Sequence, residues 1–169
     1  MLSQFDIYGR REDVIVYQNE YHKLMSTGLT AGVSGYGFAT AAKGSHMTRA
    51  GLLYMQNQLD PGHCCPLVMT TAAIIPLKKH GFEDLVSKLS NFQYDPRNIP
   101  IEEKDAITAG MSMTEKQGGS DVRANTTIAR PDDPTKTGNG SAYRLVGHKW
   151  YMKSQLVIYV TWNLIFSCV

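Results

Sequence analysis

The hydrophobic period of this chain changes once, near residue 105, and that change constrains the fold more than any other feature. Before it, apolar side chains recur every three or four residues, most clearly from Phe82 to Phe92, which is the spacing of one helix face. After Pro96 and Pro100, apolar and polar residues alternate, as in strands with one buried side. The sequence therefore predicts an α+β fold, in which a helical bundle precedes antiparallel β structure.

The bundle is predicted to contain four helices. Their expected positions are from an N-cap at Asn19, from Ser45 to Leu59, from Leu67 to Ile75 between two prolines, and from Phe82 to Phe92. The second is apolar on two sides and the third almost throughout, so both are expected inside the bundle. The glycine-rich stretch 32–37 predicts a flexible loop. Residues 63–65, His-Cys-Cys, predict a loop before a buried helix, because no second ligand pair stands at metal-site spacing.

Three alternating segments predict the strands of the β part: residues 106–113, 122–130 and 142–152. The stretch 131–141 between the last two is rich in Pro, Asp, Gly and Thr. It predicts a solvated hairpin loop.

Composition limits the classes of partner and compartment. The chain has 169 residues, a net charge of +2 and 43% hydrophobic residues, which fits a globular protein and gives no sign of a polyanion partner. Three cysteines, two of them adjacent, form no disulfide framework. The N-terminus lacks the layout of a signal peptide. An intracellular location is therefore expected, whether cytoplasmic, mitochondrial or peroxisomal, without a membrane span.

Two short runs belong together as a candidate binding site. The first ends in Gly118-Gly119-Ser120-Asp121, a turn whose backbone N–H groups suit a phosphate because glycine reaches positive φ easily. The second, from Tyr143 to Tyr151, is an alternating strand that ends in aromatic residues. Together they predict a dinucleotide whose flat heterocycle lies across neighbouring strands.

These runs carry a family resemblance. Residues 113–122 (Met-Thr-Glu-Lys-Gln-Gly-Gly-Ser-Asp-Val), 125–127 and 143–151 resemble the middle domain of the acyl-CoA dehydrogenase family. The sequence of these residues is most similar to the AidB-like branch of that family, the alkylation-response flavoproteins. Upstream, residues 21–25, 48–50 and 65–70 are similar to the same branch, so the resemblance extends over about residues 5–152.

The resemblance implies FAD as cofactor, an acyl-CoA-type substrate and a homo-tetramer. Met111, Ser112, Met113 and Thr114 would back the isoalloxazine, with the Thr114 hydroxyl bonding its pyrimidine edge. Ser120 and the Gly118-Gly119 backbone would meet the pyrophosphate. Tyr151 would cover the ring, followed by Met152 and by Lys153, where the family has a small hydroxyl residue. Glu115 does not occupy the position of the family's catalytic carboxylate and is interpreted as structural.

The resemblance also implies a division of the chain. Residues 1–104 correspond to an N-terminal helical domain and 105–152 to the start of the middle β-barrel domain, while the apolar tail 153–169 matches no family strand. The catalytic base and the DNA-contacting region of the family belong to a C-terminal helical domain that these residues do not include. The chain is therefore expected to be a truncated, catalytically incompetent acyl-CoA dehydrogenase-like flavoprotein, with no catalytic residue and no metal site of its own.

Two other interpretations are open. In one, the chain is a short, non-catalytic isoform that acts as an interaction module in an alkylation-response or DNA-repair assembly. In the other, the uncharged run 156–169 anchors a small protein to a membrane, although 14 residues are short for a span. Retention of FAD distinguishes the flavoprotein from the interaction module.

Overall fold

The computed structural model describes residues 2–97, 99–138 and 140–151, and the chain divides into two compact units between Thr108 and Ala109. Helices dominate the first unit, and the second contains a two-stranded antiparallel sheet. The predicted α+β class is confirmed. The assignment of residues 1–104 and 105–152 to two family domains stays a prediction, and the tail 153–169 lies outside the described residues.

The first unit begins with an antiparallel hairpin that the predicted bundle did not contain. Its strands are β1 (Leu2–Phe5) and β2 (Arg11–Ile15). The helices that follow are α1 (Asn19–Thr30), α2 (Tyr36–Ala39), α3 (Ser45–Leu59), α4 (Pro61–Lys79) and α5 (Glu83–Leu89), and a 3-10 turn covers Ile101–Glu103. Because α4 packs against α1, α3 and α5, it forms the centre of this unit.

A tight core joins α1 to α4. Met25, Leu29, Val33 and Leu67 are almost completely buried against one another. A Cβ atom on Gly28 would lie 2.6 Å from Leu67 Cδ1, so the absence of a side chain there lets the two helices approach closely. Burial of four such side chains stabilises the unit by several kcal/mol, at roughly 1.5–3 kcal/mol each.

The glycine-rich stretch is not the flexible loop that the sequence predicted. Val33 and Ser34 are each only 1% exposed, and the Ser34 hydroxyl donates to the Leu67 carbonyl at 3.1 Å. A Cβ atom on Gly35 would come within 2.4 Å of the Ser90 carbonyl oxygen. The glycines therefore serve close packing, which a composition rule for loops does not distinguish from flexibility.

Helix α4 begins earlier and ends later than predicted. Asp60 ends α3, and its side chain caps α4 by accepting from the His63 backbone N–H at 3.0 Å. Pro61 occupies the first helical position, where no backbone donor is needed. Pro66 and Pro76 lie inside the helix instead of bounding it; each removes one intrahelical hydrogen bond. Within the described part of the chain, no helix combines the length and apolarity needed to cross a bilayer.

The His-Cys-Cys run therefore lies in the first turns of α4 and not in a loop. The His63 ring is buried, and its Nδ1 donates to the Asp60 carboxylate at 2.9 Å while its Nε2 accepts from the Gln56 amide at 2.7 Å. Both ring nitrogens have a hydrogen-bond partner, as burial of a polar side chain requires. These bonds give His63 a structural role at the α3–α4 junction.

Helix α3 is not enclosed on two sides, contrary to the prediction. Gln56 and Ser45 are its buried residues, whereas Met47, Tyr54, Met55 and Leu59 are 78%, 71%, 59% and 67% exposed. Helix α4 is likewise buried on one face only, with Ile75 62% exposed. Apolar composition predicted burial correctly for Leu67 but cannot show which apolar face a neighbouring helix covers.

The described part of the chain after residue 105 contains fewer strand residues than predicted. Residues 106–113 form no strand, and Val122–Ala124 form a 3-10 turn capped by the Asp121 side chain. The strands are β3 (Ile128–Pro131) and β4 (Tyr143–Val146), paired antiparallel from Ile128 opposite Val146 to Pro131 opposite Tyr143. The connection between them begins one residue later than the predicted loop 131–141, because Pro131 belongs to β3.

Close packing at Gly35 predicts a large penalty for one added methyl group. Gly35 has a negative φ of −101°, which alanine can also adopt, so Gly35→Ala tests the steric contact with Ser90. We expect the free energy of unfolding to fall by about 1–3 kcal/mol, measured as a lower urea midpoint at unchanged slope.

The matched control is Gly51→Ala, in the middle of α3, where an added Cβ meets nothing within 4 Å. This change is expected to stabilise the protein by about 0.5–1 kcal/mol because alanine favours the helix. Equal effects of the two substitutions would contradict the packing described for Gly35.

Candidate functional site

The candidate site is built around the buried carboxylate of Glu115, whose residue is 1% exposed. Oε2 accepts from the Gln117 side-chain amide at 2.8 Å, from the Thr126 N–H at 2.7 Å and from the Thr126 hydroxyl at 3.1 Å. Oε1 accepts from the Thr127 N–H at 2.9 Å and from Lys149 Nζ at 3.2 Å. One side chain therefore joins three segments of the second unit.

These donors also fix the protonation state of Glu115. The hydrogen bond from Gln117, together with those from Thr127 and Thr126, holds the pKa of the Glu115 carboxyl well below its ordinary value. A carboxylate held this way is a poor proton acceptor, because each donor stabilises the charged form. The geometry agrees with the structural interpretation of Glu115.

A short antiparallel pairing brings the two predicted runs together. Lys116 N–H donates to the His148 carbonyl at 3.2 Å, and Trp150 N–H donates to the Thr114 carbonyl at 2.9 Å. These bonds flank the pair Glu115–Lys149, which makes it a non-hydrogen-bonded pair whose side chains lie closest together. The ion pair and the backbone bonds thus support each other.

The turn after Thr114 is closed by backbone bonds in both directions between Glu115 and Gly118, at 3.3 and 3.0 Å. Gly118 has φ +153°, and an added Cβ there would meet nothing within 4 Å. A Cβ on Gly119 would lie 3.0 Å from the Thr114 hydroxyl oxygen. Gly118 therefore provides the backbone conformation of the turn, and Gly119 makes room for the Thr114 side chain.

The structure describes all of the predicted site residues except Met152 and Lys153. Met111 and Met113 are 37% and 40% exposed, Ser112 and Thr114 alternate with them and are half-buried, and Ser120 is exposed beyond the turn. Tyr151 is 77% exposed and has φ +54°, with its ring centroid 5.9 Å from that of Trp150. Met152 and Lys153 lie outside the described residues, so their predicted places near the flavin stay predictions.

The described residues fit the demands of an FAD wall in three respects. The buried Ser112 hydroxyl has no hydrogen-bond partner within residues 2–97, 99–138 and 140–151, which leaves a polar atom for a ligand or water. Space is open at Gly118, where a phosphate would need close approach to the backbone. Met111, Met113 and Trp150 expose apolar and aromatic surface, and a flat heterocycle needs such surface to pack against.

Sequence reasoning named residues 125–127 and 143–151 but missed the contacts by which they hold this arrangement in place. Asn125 donates from its side-chain amide to the Met113 carbonyl at 2.9 Å, and Lys149 Nζ reaches the same oxygen at 3.4 Å. A Cβ on Gly147 would lie 2.7 Å from Thr127 Cα. Only the opposite charges of Glu115 and Lys149 were visible in the sequence, and charge alone does not show that two residues 34 positions apart are paired.

Residues 1–96 match the family model described as the adaptive response protein AidB N-terminal domain. The chain belongs to the AidB-like branch of the acyl-CoA dehydrogenase family. It is 36% identical over 154 residues to AidB of Escherichia coli (strain K12), a protein assigned to the acyl-CoA dehydrogenases, and this match covers 89% of the chain and 27% of AidB. This AidB-like chain is also 28% identical over 157 residues to acyl-CoA dehydrogenase family member 11 of Caenorhabditis elegans, covering 89% of the chain and 24% of that relative.

Solved structures agree with this AidB-like assignment. The apo-form of Bd2924 superposes with a TM-score of 0.71 at 28% identity, over 88% of this chain and 29% of Bd2924. ACDH-11 of Caenorhabditis elegans, solved in complex with C11-CoA, gives a TM-score of 0.68 at 27% identity, over 88% of this chain and 24% of its own. The chain thus spans about a quarter of the length of the relatives that it matches.

The depressed pKa of Glu115 predicts an acid-dependent loss of stability. A carboxyl whose pKa is lowered by folding stabilises the protein above its unfolded value, 4.5 for glutamate, and this contribution is lost as the pH falls below that value. Glu115→Gln removes one acceptor and places an amide N–H against the donors of Thr126 or Thr127. We expect its urea midpoint to be clearly below that of the wild type at pH 7, and the difference to shrink steadily on acidification.

Tryptophan fluorescence is a suitable probe, since both tryptophans, Trp150 and Trp162, follow residue 109. The control is Glu103→Gln, at an exposed position, which should leave the midpoint nearly unchanged. A Glu115→Gln midpoint that stays a constant distance below the wild type from pH 7 to about pH 3 would show that the charge of Glu115 has no such role.

Proposed function

We propose that this chain forms one wall of the FAD site of an acyl-CoA dehydrogenase-type flavoprotein. The observation that carries the proposal is the pairing of Thr114 with Trp150, at 2.9 Å between carbonyl oxygen and nitrogen. That pairing joins the two runs that the resemblance assigns to the flavin. The family membership supports FAD as the cofactor.

Particular residues would hold the cofactor in defined ways. Residues 111–114 would back the isoalloxazine, with the Thr114 hydroxyl toward its polar edge. Ser120 and the backbone of Gly118 and Gly119 would bind the pyrophosphate, and Tyr151 would lie over the ring. Met152 and Lys153 are the remaining residues that we propose for the FAD site. FAD, when bound, supplies a hydride acceptor for oxidation of a CH–CH group of an acyl-CoA thioester.

The residues present would bind and orient, and would not transfer the substrate proton. Glu115 is buried and saturated with donors, so it is not available as a base. We therefore propose that the 169 residues by themselves bind without catalysing. The C11-CoA in the structure of ACDH-11 supports an acyl-CoA as the ligand of the complete site, and homo-tetramer assembly is part of the same proposal. DNA contact would belong to the C-terminal region of the family.

An intracellular compartment is proposed with this function, whether cytoplasmic, mitochondrial or peroxisomal. Cys64 and Cys65 are free thiols on neighbouring positions of α4. Unpaired cysteines of this kind fit a reducing environment.

One observation favours a second candidate, a non-catalytic interaction module. The face of α3 that carries Met47, Tyr54, Met55 and Leu59 is exposed, and apolar surface of this kind is characteristic of protein contacts. A module of this type would act without flavin. FAD binding by the purified chain therefore separates the two candidates.

The proposal predicts saturable binding of FAD to the full chain, measured by titrating FAD and following its fluorescence. Ser120→Ala should weaken binding about tenfold, the effect of losing one hydrogen bond of about 1.4 kcal/mol. Thr114→Val should weaken it by about threefold to tenfold on the same basis. Thr135→Val, in the hairpin loop where the Thr135 hydroxyl bonds Asp133, is the control and should bind like the wild type. A wild-type chain that binds no FAD would sink the flavin proposal and leave the interaction module.

A further inference from the structure

Among the described groups that hydrogen-bond to Glu115, Lys149 is the charged donor. Without it, the carboxylate still accepts from Gln117, from Thr126 twice and from Thr127, at 2.7–3.1 Å. A buried carboxylate with four neutral donors is already well solvated by the protein. The particular contribution of Lys149 is therefore its positive charge.

That charge is placed beside the proposed flavin wall. The Lys149 side chain is 15% exposed and the Glu115 side chain 1%, so the pair is largely shielded from solvent and from salt screening. Lys149 Nζ also lies 3.4 Å from the Met113 carbonyl oxygen, in the backbone of the segment that would back the isoalloxazine. Its neighbour Trp150 is the residue bonded to Thr114. Lys149 thus contacts the backbone of residue 113, and the next residue along the chain contacts the backbone of residue 114.

We propose that Lys149 sets the electrostatic environment of the flavin by neutralising Glu115, and so determines how much more tightly the site holds reduced than oxidised FAD. This inference rests on the proposed FAD site. Two-electron reduction adds negative charge to the isoalloxazine at ordinary pH. An uncompensated Glu115 carboxylate would repel that charge, while the Glu115–Lys149 pair is neutral. Lys149 is a positioning and charge-setting residue, not a catalytic one, because it acts through Glu115 and the Met113 backbone.

The test compares FAD binding in two redox states. The dissociation constants of oxidised FAD and of dithionite-reduced FAD are measured anaerobically on the full chain by equilibrium dialysis. Lys149→Met keeps the length of the side chain and removes its charge. We expect this variant to lose about tenfold more affinity for reduced than for oxidised FAD, the effect of one partly screened unit charge. Lys149→Arg keeps the charge and should restore the wild-type ratio of the two constants.

The control variant is Lys136→Met. Lys136 pairs with Asp133 on the hairpin loop, and its side chain is 77% exposed. The substitution therefore also removes one positive charge, but from a solvent-exposed position. It should leave the ratio unchanged. The unfolding midpoint of each apo variant, measured in parallel, reports stability separately from the ratio.

Different results overturn different statements. If Lys149→Met weakens both redox forms equally, or neither, the charge-setting role is wrong while the FAD site stands. If the wild-type chain binds neither form, the proposed function fails and the inference fails with it. If Lys149→Met does not fold, Lys149→Gln replaces it in the same assay. A wild-type ratio of the two dissociation constants in that variant would also contradict the inference.

Discussion

The second unit depends on one physical constraint, the need to satisfy a buried carboxylate. Glu115 is almost fully removed from solvent, and an ionised side chain is stable there only when donors surround it. Gln117, Thr126, Thr127 and Lys149 supply them. Because those residues lie on three separate segments, satisfying Glu115 fixes the segments relative to one another. The exposed surface of the candidate site follows from that arrangement.

The helical unit shows how far periodicity predicts a fold. Asn19 was predicted as the N-cap of α1 but is its first helical residue; Gln18 is the N-cap, and it makes no side-chain cap hydrogen bond. Helix α5, with the clearest apolar period, ends at Leu89, three residues before Phe92, where the prediction placed its end. The largest error is α4, because a proline inside a helix breaks a hydrogen bond without necessarily ending the helix. Packing of neighbouring elements, which decides such cases, is not encoded in a local pattern.

The residues of the candidate site could be predicted from their sequence motifs, whereas the contacts between them could not. The Gly-Gly-Ser-Asp turn and the aromatic strand were visible as separate runs, and their pairing through Thr114 and Trp150 is the feature that a linear sequence does not show. The structural interpretation of Glu115 agrees with its contacts. Lys149 was overlooked, since a lysine on an alternating strand ordinarily faces solvent. Its burial depends on a partner 34 residues earlier.

Amide hydrogen exchange, followed residue by residue by NMR in the wild-type chain, tests the central claim most directly. The Thr126 and Thr127 amides donate to Glu115, and the Trp150 amide donates to Thr114. If the carboxylate organises the unit, these three amides are protected to a similar degree and lose protection together as the pH falls below 4.5, the unfolded value of glutamate, because protonation of Glu115 then favours the opened state. Exchange of Trp150 at the rate of an unstructured peptide, or its protection independently of Thr126 and Thr127, would contradict the claim.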